Sequence, residues 1–170
     1  MMDNLILRVE RPEDHAAIYA LTAAAFADMP YAGGDEQDVV NRLRDAGALH
    51  LSLVAVLDDK LVGQATFSPA ENADGSGPWY ALGPISVDPA LQGRGIGGRL
   101  INAGIAQLKP ALGCILTGNP DYYQRFGYEA APEYAAENEP AEYFMVKWLN
   151  EMRPEGRFRF HPAFYGEVGA

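Results

Sequence analysis

A single cysteine, Cys114, stands in this chain of 170 residues. One thiol cannot close an internal disulfide, so no covalent framework holds the fold, and such usage suits a reducing cytoplasm. Histidine is nearly as scarce. His15, His50 and His161 lie far apart and show no metal-ligand spacing, so no metal is expected. No apolar run approaches the ~18 residues that a membrane span needs. The N-terminus MMDNLILRVE has an acid, not a basic region, before a very short apolar run, and does not read as a signal peptide. Basic residues are the minority: 13 Lys and Arg against 23 Asp and Glu leave a formal net charge of −10. A general nucleic-acid binder needs a basic surface, so that class is disfavoured.

The length and a 48% hydrophobic composition are enough for a real core and favour one domain over residues 1–170. Leu5–Val9 reads as a strand. RPED (Arg11–Asp14) starts a helix, with Pro12 in its first turn and acids at its positive end, and the helix continues to Phe26. A second helix follows the break ADMPYAGG (Ala27–Gly34), with Val39, Val40 and Leu43 on one face. The period then changes. His50–Leu57 and Leu61–Pro69 flank Asp58, Asp59 and Lys60 as a hairpin. Trp79–Val87 is strand-like but interrupted by Gly83-Pro84, which predicts a bulge or a parting from a neighbour. Gly97–Lys109 is a helix ended by Pro110, with Leu100, Ile101, Ile105 and Leu108 facing a core. Gly113–Gly118 is a short apolar strand, Asn119–Tyr128 a helical turn stopped by Gly127, and Glu142–Leu149 and Arg157–His161 are further strands. This succession reads as α+β, or mixed α/β, around one sheet.

Between the third strand of the middle block and its helix lies GRGIGG, Gly93–Gly98. Gly93, Gly95 and Gly98 satisfy the letters of a dinucleotide fingerprint. That loop follows its strand directly and has an acid about 20 residues on; here Asp88–Gln92 intervene, and the corresponding stretch is LTGNP. A P-loop would end in Gly-Lys-Ser/Thr, whereas this one ends Gly98-Arg99-Leu100. The alternative is Gln92, Gly95 and Gly97 in a Q-x-x-G-x-G register at the head of an amphipathic helix. Unpaired amides at a helix start carry partial positive charge, and glycines let them approach a pyrophosphate.

In that register Val87, Pro89, Gln92, Gly93, Gly95, Ile96 and Gly97 resemble the acetyl-coenzyme A (acetyl-CoA) loop of the GNAT superfamily of N-acetyltransferases. Tyr123, Gly127 and Tyr128 are similar to its Y-x-x-x-G-[FY] segment, and the double tyrosine with RFG resembles the YhbS-like branch. The resemblance implies a mostly antiparallel sheet, splayed in the middle, with helices on both faces. It implies that acetyl-CoA is held by Ile85, Ser86 and Val87 along its pantetheine arm and by Gln92, Gly93, Arg94, Gly95, Ile96, Gly97, Gly98 and Arg99 at its phosphates. Asn119 either bonds the pantetheine arm or caps the helix before Pro120. It also implies attack of an amine on the thioester, with backbone N–H groups near Val87 as oxyanion donors and Tyr123 protonating the leaving thiolate. Tyr122 is the rival for that last role. The strand ending at Val87 carries no carboxylate, unlike many relatives, so the base is Glu36, a water chain or the backbone. Cys114 reads as a buried thiol, not a nucleophile. The expected partners are acetyl-CoA and an amine acceptor, not nucleic acid or membrane, for a cytoplasmic monomer or homodimer. ADMPYAGG and EAAPEYAAENEP, with Glu129, Glu133, Glu137 and Glu139, are where acceptor contacts are expected. A non-catalytic acyl-CoA-binding module is the rival function.

Overall fold

The computed structural model describes residues 4–29, 34–108 and 110–166. β1 (Leu5–Val9) pairs antiparallel with β2 (Leu51–Leu57), and β2 with β3 (Lys60–Asn72). Asp58 and Asp59 have φ of +49° and +67° between them, the left-handed pair that lets a two-residue hairpin follow the strand twist. β3 runs on to Asn72, beyond the expected end at Pro69. Its far end is paired by β8 (Phe158–Phe160), and that tertiary contact keeps it extended. β4 (Trp79–Val87), β5 (Gly113–Thr117), β7 (Phe144–Trp148) and the short β6 (Glu129–Ala130) complete the sheet in the order β1-β2-β3-β4-β5-β7-β6. A two-residue strand such as β6 carries no readable period and was invisible in the sequence.

All pairings are antiparallel except β4 with β5, which covers only Trp79–Ala81 against Gly113–Ile115. Beyond that, Leu82–Val87 pair with β3 alone, and Leu116 and Thr117 with β7 alone. The strands part there because Gly83 and Pro84 together face the single Thr66, between the pairs Phe67–Leu82 and Ala65–Ile85. Gly83 has φ of +144°, which a side chain would resist, and Pro84 has no N–H for a ladder. The predicted bulge and the predicted splay are thus one feature.

Helices cover both faces. α1 (His15–Phe26) and α2 (Glu36–Asp45) lie on one side, where Ile18 and Val40 pack on Val54. Pro12–Asp14 form a 3₁₀ turn leading into α1, and Asp14 accepts the Arg11 N–H at 2.7 Å while paired with Arg8. α3 (Ile96–Ala106) lies on the other side. Its Leu100 and Ile101 are fully buried, worth ~1.5–3 kcal/mol each. This helix ends at Ala106, short of the expected Lys109. Gly104 packs flat on the Phe67 ring, so close that a Cβ would collide with it. α4 (Pro120–Tyr123) is a single turn after β5. Among the described residues, no helix is long and apolar enough to cross a membrane.

Candidate active site

The segment from β4 to α3 is wound on its own hydrogen bonds. Asp88 Oδ1 accepts the Ala90 N–H at 3.0 Å and opens a 3₁₀ turn over Pro89–Leu91. Gln92 folds back, and its Nε2 donates to the Val87 carbonyl at 3.2 Å. Gly93 and Gly95 have φ of +80° and +85°, a region costing another residue ~1–2 kcal/mol. Gly95 is the N-cap of α3 and brings no capping side chain. The first amide to enter the helix is that of Arg99, bonded to the Gly95 carbonyl at 3.1 Å. The amides of Ile96, Gly97 and Gly98 therefore have no intrahelical acceptor, and their partial charge favours an anion. Arg94 and Arg99 are exposed and enter no ion pair among the described residues.

Three of the expected loop residues have a second duty. A Cβ on Gly97 would lie 2.8 Å from the Tyr122 hydroxyl oxygen, and one on Gly98 would lie 2.8 Å from Phe126 Cε1. These glycines let the turn after β5 close onto α3, and only their backbone is open to a ligand. The Ile96 side chain is buried and packs over Gly63.

The β4 edge is set by register. The Asp88 N–H donates to the Val62 carbonyl at 2.8 Å. In an antiparallel ladder, the alternation then turns the backbone groups of Val87 and Ile85 away from β3, into the gap. Ser86 has the other parity. It sits opposite Gln64, and its side chain is buried towards α1 and α2. Of the three residues expected along this strand, the structure thus presents Ile85 and Val87 to the gap and turns Ser86 away.

Across the gap, Asn119 caps α4: its Oδ1 accepts the Asp121 N–H at 2.9 Å. Its side-chain NH₂ is left for other partners. The Tyr123 ring covers Gly118, where a Cβ would meet it at 2.6 Å. Edge contacts with Tyr122 (centroids 5.0 Å) and Tyr128 (5.9 Å) hold it. Burial pushes the Tyr123 phenol well above its usual range, so it is neutral at physiological pH. The Tyr122 hydroxyl instead reaches the start of α3, under the Arg125 guanidinium 5.3 Å from the ring centroid. The two tyrosines therefore point to different places. Lys147 on β7 donates from Nζ to the Phe126 carbonyl at 2.6 Å and pins the turn carrying Tyr123. The sequence held no signal for that contact, which joins residues far apart in the chain.

Cys114 is fully buried and its thiol is pushed up to about 12 by desolvation. It is therefore neither accessible nor ionised. Glu36 lies at the start of α2 and accepts the Gly34 N–H at 3.2 Å. With Phe26 and Met29 it lines a depression of about 160 Å³ between α1 and α2. The expected acceptor segment ADMPYAGG falls partly outside the described residues, which omit 30–33. In the other segment Glu129, Glu133 and Glu137 are exposed, while Glu139 accepts the Tyr165 hydroxyl at 2.7 Å.

The sequence pattern of the acetyltransferase (GNAT) family matches residues 15–128, which include the glycine loop, the splay and the tyrosine turn. The chain belongs to the GNAT family. A GNAT acetyltransferase from Brucella melitensis, solved in complex with acetyl-CoA, is 42% identical, with 94% of this chain and 97% of that one covered and a TM-score of 0.84. The GNAT protein YhbS of Escherichia coli, solved with CoA, is 27% identical over 95% of this chain and 92% of its own, with a TM-score of 0.85. The uncharacterized N-acetyltransferase YjhQ of Escherichia coli (strain K12) is 39% identical over 84 residues, a stretch spanning 46% of each protein. The dinucleotide reading of the glycine loop is set aside by these relationships.

Proposed function

We propose that this GNAT protein is a cytoplasmic acetyl-CoA-dependent N-acetyltransferase that moves the acetyl group directly from the thioester to a primary amine. The observation that carries the reading is the parting of β4 from β5, with the glycine-wound start of α3 after β4 and the Tyr123 ring over Gly118 at the end of β5. The 42% identical relative bound to acetyl-CoA supports the same donor. The amides of Gly93, Gly95 and the first turn of α3, with Arg94 and Arg99, suit the phosphates. The outward backbone groups of Ile85 and Val87 suit the pantetheine arm, which would lie along β4 as an added strand. The Val87 N–H is also the donor best placed for a developing oxyanion.

Tyr123 is the acid in this scheme. Its neutral phenol holds a proton for the departing CoA thiolate, and Gly118 lets the ring pack against the end of β5. An alkyl ammonium has a pKa near ~10.4 and must lose a proton before attack. β4 supplies no carboxylate, which leaves that task to Glu36, a water chain or the backbone. The rival reading, an acyl-CoA-binding module without turnover, has no observation in its favour beyond the same loop. Calorimetry with acetyl-CoA, followed by thiol release on a panel of primary amines, separates the two. Micromolar binding with amine-dependent CoA release is expected; binding with no release from any amine refutes the enzyme.

A further inference from the structure

Tyr123 is aimed by the backbone that carries it. Its hydroxyl enters no hydrogen bond among the described residues, and its ring is held by packing against Gly118, Tyr122 and Tyr128. The backbone is a short helical path, α4 followed at once by a 3₁₀ turn over Gln124–Phe126. So short a helix is not stable on its own. Asn119 caps its start, and its further bonds are local. The Tyr122 and Tyr123 N–H groups donate to the Asn119 carbonyl, both at 3.1 Å, and the Gly127 N–H donates to the Gln124 carbonyl at 3.1 Å. Among the described residues, every hydrogen bond made by 119–127 stays within 119–128 except one. That one runs from Lys147 Nζ to the Phe126 carbonyl at 2.6 Å.

Lys147 suits that place chemically. It stands on β7 opposite Cys114, with the parity of Met145, which packs in the core under α3. Its side chain is half-buried and enters no ion pair among the described residues. The carbonyls that end a helical turn lack N–H partners, and a lysine ammonium satisfies them. A charged donor bonds more strongly than a neutral one. Gly127 makes the room, because a Cβ there would run into the ammonium. At the other end of the segment, the Gly118 N–H donates to the carbonyl of Tyr143, the residue before β7, at 2.9 Å. The stretch that carries Tyr123 is thus tied to β7 and its approach on both sides, and the ammonium makes the tie that follows Tyr123.

A general acid must come within ~2.6–3.2 Å of the atom that takes its proton, and a misplacement of about 1 Å costs up to ~10²-fold. We infer that Lys147 is a positioning residue for acetyl transfer: it fixes the turn after α4 so that the Tyr123 hydroxyl is aimed at the leaving sulfur. It acts through Tyr123 and does not touch the substrate. This rests on the reading of Tyr123 as the acid.

The test is a double-mutant cycle on Lys147→Met, which keeps an apolar stem without the ammonium, and Tyr123→Phe. Single turnovers are followed with enzyme in excess over acetyl-CoA and hydroxylamine as the acceptor, the uncatalysed rate being subtracted. Hydroxylamine is small and unprotonated at neutral pH, so neither a base nor an acceptor pocket is needed. The readout is a first-order rate constant, in which misfolded molecules lower the amplitude and not the rate. Lys147→Met should slow transfer about tenfold or more in the native background. In the Tyr123→Phe background it should change the rate by less than about twofold, because no phenol is left to aim. Acetyl-CoA affinity by calorimetry should stay within roughly threefold, as the loop amides and the β4 edge are untouched. Amide hydrogen exchange over 119–128 should speed up in Lys147→Met. A native transfer rate in Lys147→Met, equal slowing in both backgrounds, or unchanged exchange overturns the inference. A native rate in Tyr123→Phe overturns instead the acid reading beneath it, and no catalysed transfer by the native protein overturns the transferase reading itself.

Discussion

Replacing Tyr123 by Phe removes one oxygen and keeps the ring. The ring is what the fold uses: it covers Gly118 and meets Tyr122 and Tyr128 edge-on. The Tyr123 hydroxyl bonds to no other described group, so its loss leaves no buried partner orphaned, and stability should change by less than ~1 kcal/mol. Chemistry should respond differently. A positioned general acid is worth about 10²–10⁴-fold, or about 2.7–5.4 kcal/mol of barrier. The single-turnover rate of acetyl transfer should fall by that factor, with acetyl-CoA affinity nearly unchanged because the phosphate and pantetheine contacts lie elsewhere. The raised phenol pKa has a sign consequence: the acid stays protonated as pH rises through the usual range near ~10, so no loss of rate from this group is expected below that. Tyr122→Phe is the control. Its hydroxyl touches the start of α3, so its effect belongs in acetyl-CoA affinity more than in transfer. Rapid-quench single turnovers decide the matter. Near-wild-type transfer in Tyr123→Phe beside an inactive Tyr122→Phe would show that the other tyrosine is the acid. Near-wild-type transfer in both would mean that solvent supplies the proton.

Gly95→Val sits at φ +85° with open space around the new Cβ, so the chain should fold at a cost of roughly 1–2 kcal/mol or somewhat more. Its acetyl-CoA affinity should nevertheless fall at least tenfold by calorimetry, and unchanged affinity in the folded variant would dismiss the loop assignment. Gly104→Ala drives a methyl into the Phe67 ring and should cost ~1–3 kcal/mol, lowering Tm by roughly 2–12 °C; an unchanged melting curve would contradict the packing. Cys114→Ala should leave turnover within tenfold, and the native thiol should resist alkylation at pH 8; a loss beyond about a hundredfold would point to an acyl-enzyme. Asp14 has its carboxyl pKa lowered chiefly by the Arg8 hydrogen bond. Its contribution is therefore full above the unfolded value near ~3.9 and is lost as pH falls through the lower folded value. Asp14→Asn should lower Tm at pH 7 and flatten the acid-side fall; identical pH profiles would remove the pair from the account.

Much of the architecture could be read from local pattern. The hairpin at Asp58-Asp59, the apolar face of α2 and the bulge at Gly83-Pro84 each follow from residues adjacent in the chain, because twist, periodicity and the missing proline N–H act over a few residues. The glycine loop was legible for the same reason: its left-handed turns and its place before α3 are local, and its spacing matched a known loop. The pairing partners were not legible. Nothing in the run Pro69–Asn72 says strand until Phe158–Phe160 lie beside it, and Glu129–Ala130 become β6 only against β7. The distinction between Tyr122 and Tyr123 was likewise tertiary. In sequence they are adjacent phenols; in the fold one covers Gly118 and the other reaches Gly97. So were the second duty of Gly97 and Gly98 and the pinning of the Phe126 turn by Lys147. Sequence alone determined which segments could turn, coil or extend, since those preferences are properties of neighbouring residues. Only the tertiary structure decided which strand edge faces the gap and which of the two tyrosines reaches Gly97, because register and burial depend on residues that meet only after the chain has folded.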